Sequence, residues 1–191
     1  MREDLTVPAS TPLVTAEEYL RMPDEDGFIT ELVKGRVIRM PPPGPLHGAV
    51  TVLAGSVLHQ FVKEHGLGRV LAAAGFKLES DPDTVRGPDV SFIRRERIAT
   101  TGLPVAYLPG APDLAVEVLS PSNRRSVIQS KIEQYLELGT QLVWVLDPRA
   151  RTLTVHAPDR SRLTLAAEDE VTGENVLRGF RCQVGRFFED L

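Results

Sequence analysis

Cysteine is nearly missing from this sequence: Cys182 stands alone among 191 residues. A single thiol excludes an intrachain disulfide and a cysteine-rich zinc site. Long apolar runs are missing too, and none approaches the roughly 20 residues that cross a bilayer. The first residues, MREDLTVPASTP, hold no apolar core of the kind a secretion signal carries. The expectation is therefore a cytoplasmic protein with no membrane association. Basic charge is not in excess either: 22 Lys and Arg meet 26 Asp and Glu, a net charge of −4. A protein coated with basic patches for nucleic acid is disfavoured, while a local basic groove remains open. Internal repeats, low-complexity tracts and a domain linker are all missing. What is present is ordinary globular material, 42% hydrophobic and 25% charged, enough for one domain with a sizeable core. Residues 1–12 read as a loose polar tail and 13–191 as a single domain.

Periodicity sketches the order of elements. Thr15 opens T-A-E-E, a capping box with Glu18 at the third helical position, so a short helix is expected to about Met22. The stretch FITELVKGRVIRM reads as a hairpin around Lys34-Gly35. After the rigid PPPGP loop, Leu46, Val50, Leu53, Val57, Leu58, Phe61 and Val62 recur at helical spacing, and Gly66 stands where a C-cap glycine belongs. VLAAAGFKLES and PDVSFIRR read as two neighbouring strands. A Gly- and Pro-rich loop follows over roughly 101–112. Then come a strand at 113–119, a helix to Leu138 and the strand LVWVLD, a parallel crossover unit. Antiparallel hairpins are expected to finish the chain. The fold class expected is α/β with a central mixed β-sheet.

Three polar residues interrupt this apolar pattern. Glu117 sits inside PDLAVEVLSPS, a run whose neighbours read as a strand buried on both faces. A carboxylate there is costly unless compensated. Glu117 faces a cleft or a metal, or it pairs with a cation, or the segment is no strand. Lys131 is the second. Taking Val127 as 0° and about 100° per residue, Ile128, Ile132, Tyr135, Leu136 and Leu138 fall within one apolar arc, and Lys131 falls inside it. Two readings stand side by side: a snorkelling edge lysine, or a partner for a nearby buried carboxylate such as Glu117. Asp89, in GPDVSFI, is the third. Alone it reads as a turn aspartate. Beside the other two it suggests more, because carboxylates from neighbouring strands can share a hard divalent cation. A lysine next to them can position water or offset charge on a phosphate. That chemistry is metal-assisted phosphodiester hydrolysis.

The order Pro88-Asp89, Glu117 in DLAVEVLSPS, Lys131 in KIEQYLELG and then WVLDP resembles the Uma-two family, whose members are described as restriction endonucleases within the PD-(D/E)XK nuclease superfamily. The upstream ELVKGRVIRMPPPGPLH resembles the hairpin, proline loop and histidine of that family, and the likeness runs from about Thr15 to Phe188. The resemblance implies a restriction-endonuclease-like core flanked by helices, plus an N-terminal β-hairpin. It implies Asp89 and Glu117 as ligands of Mg²⁺ or Mn²⁺, with the Val118 carbonyl as a further ligand. The superfamily lysine would stand at position 119, where this chain has Leu119; in Uma-like sequences it is displaced to the following helix, at Lys131. Glu31 matches an acidic residue that orients water or assists a second metal. DNA is the implied partner, and a homodimer would suit cleavage of both strands of a duplex.

Other polar residues read more plainly. His47 suits a cap, a surface position or a phosphate contact. His59, His65 and His156 form no metal-binding spacing. Asp113 reads as a solvated strand end, and Ser120-Pro121-Ser122-Asn123 as a helix entry. Arg94, Arg95, Arg97, Arg124 and Arg125 read as surface charge or a phosphate track. Trp144 reads as core. The alternatives to a metal-dependent endonuclease are a catalytically inactive nuclease fold that binds nucleic acid or a protein, and a hydrolase of another phosphoester.

Overall fold

The computed structural model describes residues 12–121 and 125–191. Residues 1–11 of the expected tail and the expected caps Ser122 and Asn123 lie outside the described residues, as does Arg124.

The chain opens with α1 (Ala16–Arg21), whose Thr15 and Glu18 form the expected reciprocal capping box. Strands β1 (Ile29–Val33) and β2 (Arg36–Met40) then pair antiparallel, joined by Lys34 and Gly35. Both turn residues have positive φ, 48° and 71°, the backbone that matches strand twist in two-residue hairpins. Helix α2 (Pro45–His65) begins with a proline in its first turn and ends on Gly66 at φ 61°, the left-handed cap that glycine adopts without a Cβ penalty.

One correction concerns the next stretch. VLAAAGFKLES is two strands, not one: β3 (Gly68–Ala72) and β4 (Phe76–Glu79). Ala73 takes φ 48° and turns the chain out of β3. The halves then enter different sheets, a choice that apolar alternation along the chain does not record. Strands β5 (Thr84–Arg86), β6 (Val90–Arg94) and the two-residue β7 (Leu108–Pro109) follow. The crossover unit is as expected: β8 (Leu114–Val118), α3 (Arg125–Glu137) and β9 (Leu142–Asp147), with β8 and β9 parallel. Two hairpins finish the chain, β10 (Thr152–His156) with β11 (Arg162–Leu165), and β12 (Glu170–Gly173) with β13 (Leu177–Gln183).

Among the described residues the strands form a six-stranded mixed sheet, β11-β10-β9-β8-β6-β3, a five-stranded sheet, β2-β1-β5-β4-β7, and the separate β12-β13 hairpin. The expected central mixed sheet is the six-stranded one. Strand alternation sorts its side chains onto two faces. Leu114, Val116 and Val118 point to the face covered by α2 through Val50, Ala54, Leu58 and Val62, with the C-terminal segment packed beside them. Ala115, Val143 and Val145 point the other way, against Ile128, Ile132 and Tyr135 of α3. Trp144 is buried core, packed beside Phe180 and Phe187, as its strand context implied. No helix among the described residues is long and apolar enough to cross a membrane.

Candidate active site

Glu117 shares its side of β8 with Ala115, so it points toward α3, and it is 3% exposed. The strand reading is right, and the carboxylate is buried. Lys131 answers it from α3: its Nζ lies 3.3 and 3.4 Å from the two Glu117 oxygens. Of the two readings of Lys131, the partner reading holds, since the residue is buried rather than reaching for water. Tyr135, one helical turn further along α3, donates its hydroxyl to Glu117 Oε1 at 3.1 Å. Residues four apart share a helix face, so one stripe of α3 supplies both partners.

Asp89 stands immediately before the neighbouring strand, β6. The β6–β8 ladder pairs Val90 with Val116 and Ser91 with Ala115. Continued by one residue, it sets Asp89 opposite Glu117, where cross-strand side chains stand about 5 Å apart. Both line one cleft of about 520 Å³ together with Glu31, Lys131, His47 and Val118. Asp89 Oδ2 is held at 2.7 Å by the Val118 amide and at 3.2 Å by His47 Nε2.

Glu31 joins from the hairpin and is buried, not solvated as hairpin glutamates commonly are. Its Oε1 lies 2.9 Å from Lys131 Nζ, and its Oε2 accepts from Arg86 at 2.7 Å. Arg86 also donates to Gln134 at 2.8 Å, and Gln134 in turn donates to Glu79 at 2.7 Å. This chain of contacts ties the five-stranded sheet to α3.

The electrostatics follow from burial and partners. Burial pushes the Glu117 carboxyl up to about 7; Lys131 pulls it down, while Asp89 and Glu31 add to the rise. Burial works against the charge on Lys131, yet Glu117 and Glu31 outweigh it and hold the ammonium above its ordinary range. Burial, then the Glu117 charge, push the Tyr135 hydroxyl well above its usual value, so it stays a neutral donor. Three acidic side chains, Glu31, Asp89 and Glu117, thus meet two basic ones, Arg86 and Lys131. The donor set suits a hard divalent cation, which takes carboxylate and carbonyl oxygens. Among the described residues no group of three or more His, Cys, Asp or Glu side chains is arranged to hold an ion. A cation here would rest on Asp89, Glu117 and main-chain oxygen such as the Val118 carbonyl.

Sequence reasoning missed Arg86, Tyr135 and the Asp89 contact of His47. Tyr135 carried a signal, a polar tip four residues after Lys131 on the apolar stripe. Arg86 carried none that distinguishes it from a surface arginine. Elsewhere, Asp113 is not solvated: it is buried and accepts from the Arg94 amide at 2.9 Å and from Arg97 at 3.1 Å. Those two arginines are therefore occupied. Val127, placed on the apolar arc of α3, is 39% exposed and lines the cleft.

The fold has a counterpart among solved structures. A crystal structure described as a putative nuclease belonging to DUF820 from Anabaena variabilis ATCC 29413 superposes with a TM-score of 0.79 at 24% identity, covering 92% of this chain and 97% of that one. No curated protein sequence matches. Residues 16–185 match the Uma2 family, described as "Putative restriction endonuclease", and the chain belongs to that family.

Proposed function

We propose that this protein is a metal-dependent nuclease that hydrolyses phosphodiester bonds in DNA, with Asp89, Glu117 and Lys131 at its centre. The observation that carries the reading is the under-compensated carboxylate pair. Asp89, immediately before β6, and Glu117, in the neighbouring β8, line one cleft, with Glu31 as a third acidic side chain. A bound Mg²⁺ or Mn²⁺ would be held by Asp89, Glu117 and the Val118 carbonyl and would supply Lewis-acid chemistry at the scissile phosphate.

The chain's own groups do the rest. His47 and the Val118 amide fix the Asp89 carboxylate. Tyr135 fixes the Glu117 carboxylate. Arg86 holds Glu31, which with Glu117 holds the Lys131 ammonium at the cleft. Lys131 orients the attacking water and offsets the charge that builds on the phosphate oxygens. Water oxygen forms the new bond to phosphorus and gives up a proton to solvent, the bond to the leaving sugar oxygen breaks, and that oxygen takes up a proton from solvent in return. Preorganised buried groups of this kind cost no reorganisation at the moment of reaction.

The test is cleavage of duplex and single-stranded DNA with Mg²⁺ or Mn²⁺, beside calorimetric titration of Mn²⁺. Wild type should cleave and take up Mn²⁺; Asp89→Ala should do neither while keeping its fold. A wild type that takes up no Mn²⁺ and cleaves nothing would make Glu117–Lys131–Glu31 a purely structural ion cluster.

A further inference from the structure

The cleft has two unlike parts. Its floor is charged, but every lysine and arginine that lines it among the described residues already has a carboxylate partner. Arg86 is bound to Glu31 at 2.7 Å, and Lys131 is bound to Glu31 at 2.9 Å and to Glu117. Arg39, at the rim, makes a paired contact with Glu25. Duplex DNA is gripped mainly through rows of phosphates met by unengaged lysines and arginines, and among the described residues these walls offer no such row.

The walls are apolar instead. In the β1–β2 hairpin, Ile29 pairs with Met40 and Glu31 with Ile38. These four share one face of the hairpin, and all four line the cleft. Glu31 at the bottom is the only charge among them. Ile29 and Ile38 are 47% and 43% exposed, although each is large and aliphatic. Pro41 extends this wall, and Val127 of α3 also lines the cleft, 39% exposed. Isoleucine, methionine and proline are the side chains that proteins wedge between bases to unstack them. The volume, about 520 Å³, lies in the range of pockets that enclose a small ligand, roughly 300–1,000 Å³, a nucleotide-sized space rather than a duplex channel.

We propose that the cleft takes a single, unstacked strand of nucleic acid, its bases packed against Ile29, Ile38 and Met40 while one phosphodiester descends to Asp89 and Glu117. The inference rests on the nuclease reading and names its substrate class. The affinity comes from aliphatic side chains packed against base faces, which every base offers, so binding is tolerant of sequence. Its dependence on salt is shallow, because few phosphates meet an unengaged cation. One active site suffices for one strand, so the two-fold dimer suited to duplex cleavage is not required.

The experiment is fluorescence anisotropy with the full chain in Mg²⁺, using phosphorothioate-linked probes that resist hydrolysis. The probes are a single strand of about 15 nucleotides in DNA and in RNA, and the blunt DNA duplex of the same sequence. The single strand should bind about tenfold or more tighter than the duplex, with a log K against log salt slope shallower than roughly −2. Ile38→Ser with Met40→Ser should weaken strand binding about tenfold at an unchanged melting temperature. Val127→Ser reports from α3 should the double variant misfold. Equal or tighter duplex binding, a slope steeper than roughly −3, or strand affinity indifferent to these substitutions overturns the proposal. Preference for the RNA strand over the DNA strand keeps it and changes the substrate sugar. Mn²⁺ calorimetry on the same protein separates the two failures. Mn²⁺ uptake with duplex preference sinks only the strand inference, whereas no uptake sinks the nuclease reading and the inference with it.

Discussion

Two acidic residues mark the two ends of one strand, four positions apart and on the same side of it: Asp113 at the entry to β8 and Glu117 near its exit. Both are buried, and both have cationic partners. They differ in the ratio of charges. Asp113 has two guanidinium groups to itself, Arg97 at 3.1 Å and Arg94 at 3.7 Å, plus a backbone amide. Glu117 shares one ammonium with Glu31 and faces Asp89 across the ladder. The cations differ too: the side chains of Arg94 and Arg97 are 34% exposed, that of Lys131 only 8%. An over-compensated carboxylate with partly exposed partners is a clamp. An under-compensated one with a buried partner is a place that accepts further positive charge. A buried ion pair is therefore read by its surplus, not by its presence.

The largest effect should come from removing the shared cation. Lys131→Met leaves Glu31 and Glu117 buried and facing each other, the situation in which breaking a buried pair costs about 3–5 kcal/mol. Thermal or urea melts at pH 8 should show that loss. It should shrink as pH falls, because Glu117, whose carboxyl rises further once Lys131 no longer pulls it down, then takes up a proton and ceases to repel Glu31. A loss independent of pH would mean that the lysine stem, not its charge, stabilises the fold.

A smaller effect should come from the clamp. Asp113→Asn weakens the hold on Arg94 and Arg97, which can turn to water, so the cost should be about 1–2 kcal/mol. Mn²⁺ uptake should be unchanged. Glu117→Gln should show the opposite pattern: near-native stability at pH 8, since an amide removes the surplus charge and still accepts from Tyr135, but no Mn²⁺ uptake. If Glu117→Gln melts below Asp113→Asn, the distinction between clamp and site collapses.

A further effect is the pH profile of the wild type. The Glu117 pKa is raised in the fold, to about 7 from an ordinary 4.5, so between those values the folded state holds a proton that the unfolded state has released. Stability therefore falls as pH rises through that window, with a slope no steeper than one proton, and the contribution is gone above about 7. Metal-free melts from pH 4 to 8 test this, and Glu117→Gln should flatten the profile.

Much of this was legible along the chain, residue by residue. The α1 capping box, the Lys34-Gly35 turn, the Gly66 cap and the β8–α3–β9 crossover are local patterns whose causes lie within a few residues. Lys131 was legible because a charge on an apolar helical stripe is an exception to a rule with a known period. Asp113 was misread as solvated, since nothing near it in sequence announces that Arg97 will fold back over it. Arg86 and the burial of Glu31 were illegible for a like reason: 55 residues separate them, and their contact exists only once β1 pairs with β5.

Which residues are out of place can be read along the chain, because hydrophobic period and turn chemistry are short-range and a buried charge breaks them visibly. How those charges balance is settled by the fold. The split of VLAAAGFKLES between two sheets, the register that sets Asp89 against Glu117, and the sharing of one lysine by two glutamates are all products of long-range pairing. Coulomb interactions depend on distance in space and on exclusion of water, neither of which is written in the order of residues.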